Sequence, residues 1–274
     1  MSGDPHDSSL TRVQPFFTRL LTQDASGRSW LSALLAASPH GRERLGELVH
    51  APGWLVTPLA VPTVNGRLAC FDFPVAPSRE LLAWFIDHPG ELVWPGDSEL
   101  SRESTILRRA LLRDDPPGSQ ERAQERARQL LAARTPLSQE WWRFEGIAKP
   151  DCVLITDRLV ITVEGKRTES LACATNWYPA RSELVRTMEA ARELAQDKRW
   201  ASLLLTEEPL AEGTDEHLKR ALSQAAPHLD AAGGEELRTS YLGNLTWREA
   251  CAAVGIPFES LPEATDELAE AAGS

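Results

Sequence analysis

Apolar residues recur every three or four positions in several stretches of the chain, which is the spacing of one helix face. These stretches predict helices over 10–50, Ser78–His88, 101–111, Gln120–Ala133, Pro179–Gln196 and Thr214–Ala225, and a capping box at Thr246 and Glu249 predicts a last helix. Short apolar runs between turn residues predict strands. The predicted strands are Arg67–Val75, Trp141–Ile147, Cys152–Thr156, Leu159–Glu164 and Ala201–Leu205.

From residue 98 onward, the predicted order is two helices, three strands, a helix and a strand. This order is typical of an α/β fold with a mixed central β-sheet flanked by helices. Pro95 and Gly96 mark a predicted boundary. We expect 1–97 to be an N-terminal α/β extension of unknown role, 98–258 to be the main domain, and 259–274 to be an acidic, disordered tail. Residues 1–9 are polar and are also expected to be disordered.

Several classes of protein are disfavoured by what the sequence lacks. No apolar run reaches the length of a membrane span, and the first residues do not resemble a signal peptide, so we expect a cytoplasmic protein without membrane contact. The four cysteines form no CxxC pair and are expected to be reduced and buried. The six histidines lack metal-binding spacing, and no P-loop is present, so neither a zinc site nor a nucleotide cofactor is expected.

Charge is distributed unevenly along the chain. The formal net charge is −11, yet residues 101–200 hold 18 basic and 15 acidic residues, a net of +3, and the remainder carries −14. The middle third is therefore where a polyanion would bind, although a solvated surface of mixed charge is equally consistent with these numbers.

Two acidic residues and a lysine are predicted to meet at one end of a β-hairpin. If Asp157 and Arg158 form a two-residue turn, paired positions have numbers that sum to 315, and Asp151 faces Glu164. Directly paired residues project to the same side of a sheet, and Lys166, two positions beyond Glu164, points to that side as well.

Two opposed carboxylates in an apolar hairpin repel each other, and a divalent cation would relieve that repulsion. Carboxylate, carbonyl and water oxygens are the ligands that Mg²⁺ and Mn²⁺ prefer, and the carbonyl of Gly165 is a candidate third ligand. The simpler alternative is a plain Lys166–Glu164 salt bridge, because a short motif of this kind also occurs by chance.

The string Pro150-Asp151, a short hairpin, then Glu164-Gly165-Lys166 resembles the PD-(D/E)xK nuclease superfamily, whose restriction-endonuclease-like core runs helix, three strands, helix, strand. The resemblance covers about 110 residues, and the wider string from Phe144 to Glu169 is most similar to bacterial members.

The resemblance implies catalytic roles for three residues. Asp151 and Glu164 would hold Mg²⁺, with Mn²⁺ as a substitute, and Lys166 would orient the attacking water or stabilise charge on phosphorus. Members of the superfamily often add a Glu to the metal site, for which Glu103 and Glu145 are the candidates. Some exonuclease branches carry a Gln on the following helix. The corresponding stretch here reads Arg181-Ser182-Glu183-Leu184 and lacks it.

Arginines and an aromatic residue near the motif are the candidate contacts to nucleic acid. Guanidinium groups suit phosphate oxygens, and aromatic rings stack on bases. Arg181 is the first choice, followed by Arg186, Trp177 and Arg167. A solvated helix face with a core tryptophan is the alternative interpretation.

The expected function is therefore that of a Mg²⁺-dependent phosphodiesterase that cleaves DNA, in restriction, phage defence or repair. A protein partner is expected to help, because the acidic remainder of the chain disfavours DNA binding. A homodimer is the other expectation, because cleavage of a duplex needs two sites. The alternative is a nuclease-like fold that serves as a binding or assembly module without turnover.

Overall fold

The computed structural model describes residues 7–56, 70–94, 102–133, 140–167, 177–210 and 221–263. The helices in these ranges are α1 (Gln14–Gln23), α2 (Leu31–Ala37), α3 (Gly41–Leu45), α4 (Arg79–Asp87), α5 (Arg102–Arg113), α6 (Gln120–Ala133), α7 (Glu183–Ala195), α8 (Ala231–Ser240) and α9 (Trp247–Val254). A π-helical turn, Ser9–Val13, precedes α1. The strands are β1 (Cys152–Ile155), β2 (Leu159–Gly165), β3 (Arg199–Thr206) and β4 (Tyr241–Thr246).

The four strands form one mixed sheet in the order β1-β2-β3-β4. β1 and β2 are antiparallel, and β3 and β4 run parallel to β2. The β1–β2 pairing joins Cys152 to Val163 and Ile155 to Val160, which confirms the register predicted from the sequence.

Helices cover both faces of the sheet, as the apolar strands predict. Alternate strand residues such as Ile161 and Leu203 pack against α1, α2 and α9, whose Phe16 and Trp247 are fully buried. The intervening residues, such as Leu204, pack against Val185 of α7 and its neighbours. The α/β class with a mixed sheet flanked by helices is thus confirmed.

A further apolar cluster joins α4, α5 and α6 to Trp142 and Phe144. Both this cluster and the one beneath α1 draw residues from each side of the predicted boundary near residue 97. The described part of the N-terminal region therefore shares its core with the rest of the chain. This described part is helical. It also forms two isolated β-bridges, one from Leu55 to Thr156 and one from Val75 to Ala148.

Two predicted strands are wrong in the described residues. Trp141–Ile147 forms no strand, because Trp141, Trp142 and Phe144 fill the cluster beneath α4–α6 instead of pairing with a neighbour. Residues 70–75 form no strand either, and 67–69 lie outside the described residues. The fourth strand is β4, which the apolar pattern did not indicate.

Several local predictions are confirmed. The Ser78 side chain accepts a hydrogen bond from the Leu81 amide at the start of α4, and Thr246 and Glu249 form the capping box of α9. Cys70, Cys152 and Cys251 are free and buried, whereas Cys173 lies outside the described residues. The predicted helix Thr214–Ala225 is helical over 221–225, and 211–220 lie outside the described residues, as do 264–274 of the predicted tail. Among the described residues, no helix is long and apolar enough to cross a membrane.

Candidate metal and catalytic site

Asp151 lies at the open end of the β1–β2 hairpin, one position beyond the Cys152–Val163 pair. Its carboxylate accepts a hydrogen bond from the Gly165 amide at 2.8 Å. This contact fixes the Asp151 side chain beside the end of β2, next to Glu164. The hairpin register therefore brings together the two acidic residues that the sequence analysis singled out.

Glu164 is almost completely buried, with 3% of its surface exposed. One carboxylate oxygen accepts a hydrogen bond from Lys166 Nζ at 2.9 Å, and the other accepts one from the Thr187 hydroxyl on α7 at 2.9 Å. Both oxygens are thus oriented by donors on the α7 side of the sheet. The predicted alternative of a Lys166–Glu164 salt bridge is present in the structure, as one part of a larger group.

Glu183 joins this group, and the sequence analysis missed its role. Lys166 Nζ also pairs with Glu183 at 2.8 Å. Ser182 caps α7 by accepting a hydrogen bond from the Val185 amide, so Glu183 becomes the first residue of the helix and reaches back to the strand end. The serine-acid pair before an amphipathic run indicates a helix start. It does not indicate that the helix begins beside Lys166, because that placement depends on how distant segments pack together.

The carboxylates outnumber the cation at this site. Burial is the main reason that the pKa of Asp151 is raised to about 7. Glu183 and Asp72 also raise this pKa, whereas the Gly165 amide and Lys166 lower it. Burial, followed by repulsion from Asp151, raises the pKa of Glu164 to about 8. For Lys166, burial opposes the charge, but Glu164 and Glu183 outweigh it and raise the pKa above its usual value. Lys166 therefore stays an ammonium near neutral pH, and the site holds excess negative charge once both acids ionise.

We predict that this excess charge destabilises the metal-free protein at alkaline pH. A carboxyl with a raised pKa in the folded state contributes stability below its ordinary pKa, near 4, and loses it as the pH rises through about 7 to 8. Asp151→Asn keeps an acceptor for the Gly165 amide and removes one charge. In EDTA, its Tm should exceed that of the wild type by a margin that grows from pH 5 to about pH 8. A constant margin across that range would contradict the prediction.

Gly165, between Glu164 and Lys166, is contacted from the N-terminal segment. Its carbonyl accepts a hydrogen bond from the buried Ser8 hydroxyl at 3.0 Å, so residues 7–9 of the predicted disordered start are ordered here. The predicted third metal ligand is thus already engaged. On the opposite face of β2, a Cβ added to Gly165 would overlap Val13 Cγ2 and lie 2.9 Å from Trp247 Cζ2.

We predict that Gly165→Ala costs about 3 kcal/mol of the free energy of unfolding, because neither Val13 nor Trp247 can move within a packed core. Chemical denaturation measures the change. Gly234→Ala in α8 is the matched control, since a Cβ there meets nothing within 4 Å, and it should be neutral or slightly stabilising. Equal effects of the two substitutions would show that the end of β2 is not tightly packed.

Neither of the two candidates for an additional metal-binding Glu has a described contact with Asp151 or Glu164. Glu103 is exposed near the start of α5, and no described contact links it to Asp151 or Glu164. Glu145 is buried and pairs with Arg186 at 2.6 Å and with Arg181 at 3.5 Å. Burial raises the pKa of Glu145. In this structure Glu183 is the third acid beside Lys166, in place of Glu103 or Glu145.

Arg181, the first choice for a DNA contact, is buried in the structure. Only 2% of its surface is exposed, and its guanidinium binds Glu189, Glu145 and the Ala225 carbonyl. Arg186 is likewise bound to Glu145 and to the carbonyls of Gly146 and Ile147. Buried acids, which the sequence pattern did not reveal, hold Arg181 inside the protein and keep Arg186 partly buried.

Trp177 and Arg167 also make internal contacts. The Trp177 ring is partly buried and packs edge-on against Phe144 and Trp94, with Arg108 over its face. Arg167 pairs with Glu263 at 2.6 Å. Neither residue therefore presents its whole side chain to solvent.

Within the part of the chain that the structure describes, no three His, Cys, Asp or Glu side chains are already arranged to hold a metal ion. Comparison with protein-family models, curated proteins and solved structures finds no match to this chain.

Proposed function

We propose that the chain is a metal-dependent nuclease that hydrolyses phosphodiester bonds in DNA, built on a restriction-endonuclease-like core. The observation that carries the proposal is the hairpin register, which places Asp151 beside Glu164 and Lys166 at one end of a covered sheet. The order β1, β2, α7, β3 agrees with the resemblance stated above. It departs from that pattern in having no strand over Trp141–Ile147.

A divalent cation fits the charge and the donor chemistry of this site. Asp151, Glu164 and Glu183 contribute three carboxylates against the single ammonium of Lys166. Asp151 and Glu183 raise the pKa of Glu164, and Glu183 raises the pKa of Asp151. Oxygen donors of this kind suit Mg²⁺ or Mn²⁺. Asp151 and Glu164 would hold the ion, and the Gly165 carbonyl would join them only if Ser8 released it.

The bound ion would supply an activated water and would offset charge that develops on the phosphate oxygens. Lys166 stays charged near neutral pH, so it would donate hydrogen bonds to the attacking water or to a phosphate oxygen and would not act as a base. Glu183 and Glu164 hold the Lys166 ammonium from two sides and so fix its position. Thr187 keeps the Glu164 carboxylate oriented.

The test is cleavage of plasmid and single-stranded DNA in Mg²⁺ or Mn²⁺ by the wild type, Asp151→Asn and Glu103→Gln. We expect Asp151→Asn to lower the cleavage rate by about 100-fold or more. Glu103→Gln removes an exposed carboxylate that makes no described contact with Asp151, Glu164 or Lys166, and it should leave the rate unchanged. Cleavage that survives in Asp151→Asn would rule out this site as its source.

A second candidate is a nuclease-like module that binds or assembles without turnover. It is favoured by the engagement of the Glu164 oxygens with Lys166 and Thr187 and by the Ser8 contact to Gly165. Thermal unfolding in Mn²⁺ and in EDTA separates the two candidates. A nuclease is stabilised by the ion that it binds in the folded state, whereas a module without an ion site shows the same Tm in both.

A further inference from the structure

A pocket opens at the end of the sheet where β3 begins. β3 starts at Arg199, whereas its first pair with β4 joins Ser202 to Tyr241, so the first three residues of β3 extend beyond the start of β4. The space beside them has a volume of about 320 Å³ and lies between β3, α3 and the end of α8. We call it the β3 pocket, and its lining includes Arg44, Lys198, Arg199, Trp200 and Glu236.

The β3 pocket is separate from the candidate catalytic site. Glu164 pairs with Leu204, and Gly165 pairs with Leu205, near the other end of β3. Arg199 lies six residues before Leu205, which is roughly 20 Å along an extended strand. A small ligand in the pocket would therefore make no contact with the catalytic residues.

Three cations at this end of the sheet have no carboxylate partner among the described contacts. Lys198 Nζ makes no described hydrogen bond or ion pair. Arg199 Nη2 donates to the Arg44 carbonyl at 3.1 Å, and Arg158 Nη1 donates to the Ala51 carbonyl at 2.9 Å. The Arg158 carbonyl accepts from the Arg199 amide at 3.1 Å, so Arg158 lies beside the start of β3. Because carbonyl partners are neutral, these cations keep their full charge.

The acids close to the pocket do not cancel this charge. Glu236 is the acid of the described lining, and it pairs with Arg192 at 3.6 Å. Asp157 and Asp197 are neighbours of the cations in sequence, but neither lines the pocket. The described lining thus holds more cations than acids, in a chain whose net charge is −11.

Arg44 engages the carbonyl groups at the end of α8. Its guanidinium donates to the carbonyls of Arg238 and Tyr241. The C-terminus of a helix carries partial negative charge, which would repel an anion. Because Arg44 is bound to these carbonyls, the repulsion is reduced at the wall of the pocket.

Trp200 gives the pocket an aromatic wall. It is partly buried and packs against two apolar clusters, one that contains Val185 and Leu204 and one that contains Val160. The ring is therefore held by the core while part of its surface lines the pocket. The volume of the pocket lies at the lower end of the range of small-molecule sites, roughly 300–1,000 Å³.

We propose that the β3 pocket binds a small phosphorylated molecule that carries a planar ring, of the class of the 5′-mononucleotides. Lys198 and Arg199 would bind the phosphate oxygens through charge-assisted hydrogen bonds. The planar ring would pack against Trp200. This ligand site goes beyond the proposed nuclease function and does not depend on it.

The test is calorimetric titration of AMP, GMP, CMP and UMP into the wild type in EDTA. We expect saturable binding of at least one of them. Ribose 5-phosphate lacks the ring and should bind about 10-fold more weakly. Arg199→Ala should weaken binding of the mononucleotide by about 10-fold or more, because a charge-assisted hydrogen bond is lost. Trp200→Leu should weaken it about 10-fold and change the binding of ribose 5-phosphate little.

Arg42→Ala is the matched control, because Arg42 is exposed on the same helix as Arg44 and does not line the pocket. Its binding should equal that of the wild type. If Trp200→Leu is poorly folded, Arg199→Ala changes an exposed side chain and decides the question by comparison with Arg42→Ala. No binding of any of the four mononucleotides, equal losses in Arg199→Ala and Arg42→Ala, or ribose 5-phosphate binding as tightly as the mononucleotide would overturn the proposal.

Binding in EDTA is independent of catalysis, so the two proposals can fail separately. Asp151→Asn should bind the mononucleotide as the wild type does. Loss of binding in Asp151→Asn but not in Arg199→Ala would place the ligand in the catalytic site and refute the β3 pocket. Mononucleotide binding that Arg199→Ala weakens, without DNA cleavage in Mn²⁺, would support the β3 pocket and refute the nuclease.

Discussion

Arg181→Met is expected to destabilise the protein by about 3–5 kcal/mol. Arg181 is inside the protein, between Glu189 and Glu145, and it also donates to the Ala225 carbonyl. Burial disfavours its charge, but the two carboxylates raise its pKa and keep it ionised. Removal of the guanidinium would leave Glu145 and Glu189 as buried acids with less neutralising charge, which is costlier than loss of an exposed ion pair.

Chemical denaturation measures this change, and Arg192→Met is the matched control. Arg192 lies on the same helix, α7, and its pair with Glu236 is substantially exposed, so its loss should cost less than about 1 kcal/mol. A measurement of DNA binding then distinguishes a structural role of Arg181 from a contact with DNA. If Arg181→Met had the small effect of Arg192→Met on stability and yet weakened DNA binding, Arg181 would be a surface contact and its placement here would be wrong.

Lys166→Met is expected to lower the rate of DNA cleavage by about 10²–10³-fold while metal binding persists. Lys166 supplies the only positive charge that the described contacts place on Glu164, and its raised pKa keeps that charge at neutral pH. Once it is removed, Glu164 and Glu183 lose an ammonium partner and attract a divalent cation at least as strongly. The cleavage rate should therefore fall, while the affinity for the metal ion stays the same or rises.

The control is Lys149→Met, which changes an exposed lysine of the same segment and should leave the cleavage rate unchanged. Calorimetric titration of Mn²⁺ shows whether the Lys166→Met site remains intact. Cleavage that continues in this variant with Mn²⁺ bound would remove Lys166 from the proposed mechanism.

The strand pairing at the site could be predicted from the sequence because it depends on local rules. Asp157 and Arg158 fix a tight turn, and the period of two along each strand then determines the pairing from Ile155–Val160 to Cys152–Val163. Likewise, Ser78 and Thr246 cap helices through contacts only a few residues away. These features depend on short-range contacts, so the local sequence is enough to predict them.

Other features depend on contacts between distant segments, which no single stretch of sequence reveals. Ser8 reaches Gly165 across 157 positions, and Glu145 neutralises Arg181 from a separate segment. The apolar run at Trp141–Ile147 reflects packing under helices and not strand pairing. Amphipathic spacing on α7 gave no sign that Arg181, just before the helix, points inward.

The proposed nuclease function depends most directly on whether Asp151 and Glu164 hold a divalent cation. The decisive measurement is calorimetric titration of Mn²⁺ into EDTA-stripped wild type and Asp151→Asn, above the raised pKa values of about 7 and about 8. We predict saturable binding of Mn²⁺ by the wild type and a loss of that binding in Asp151→Asn. No binding by the wild type, or equal binding by both proteins, would contradict a metal site at Asp151 and Glu164.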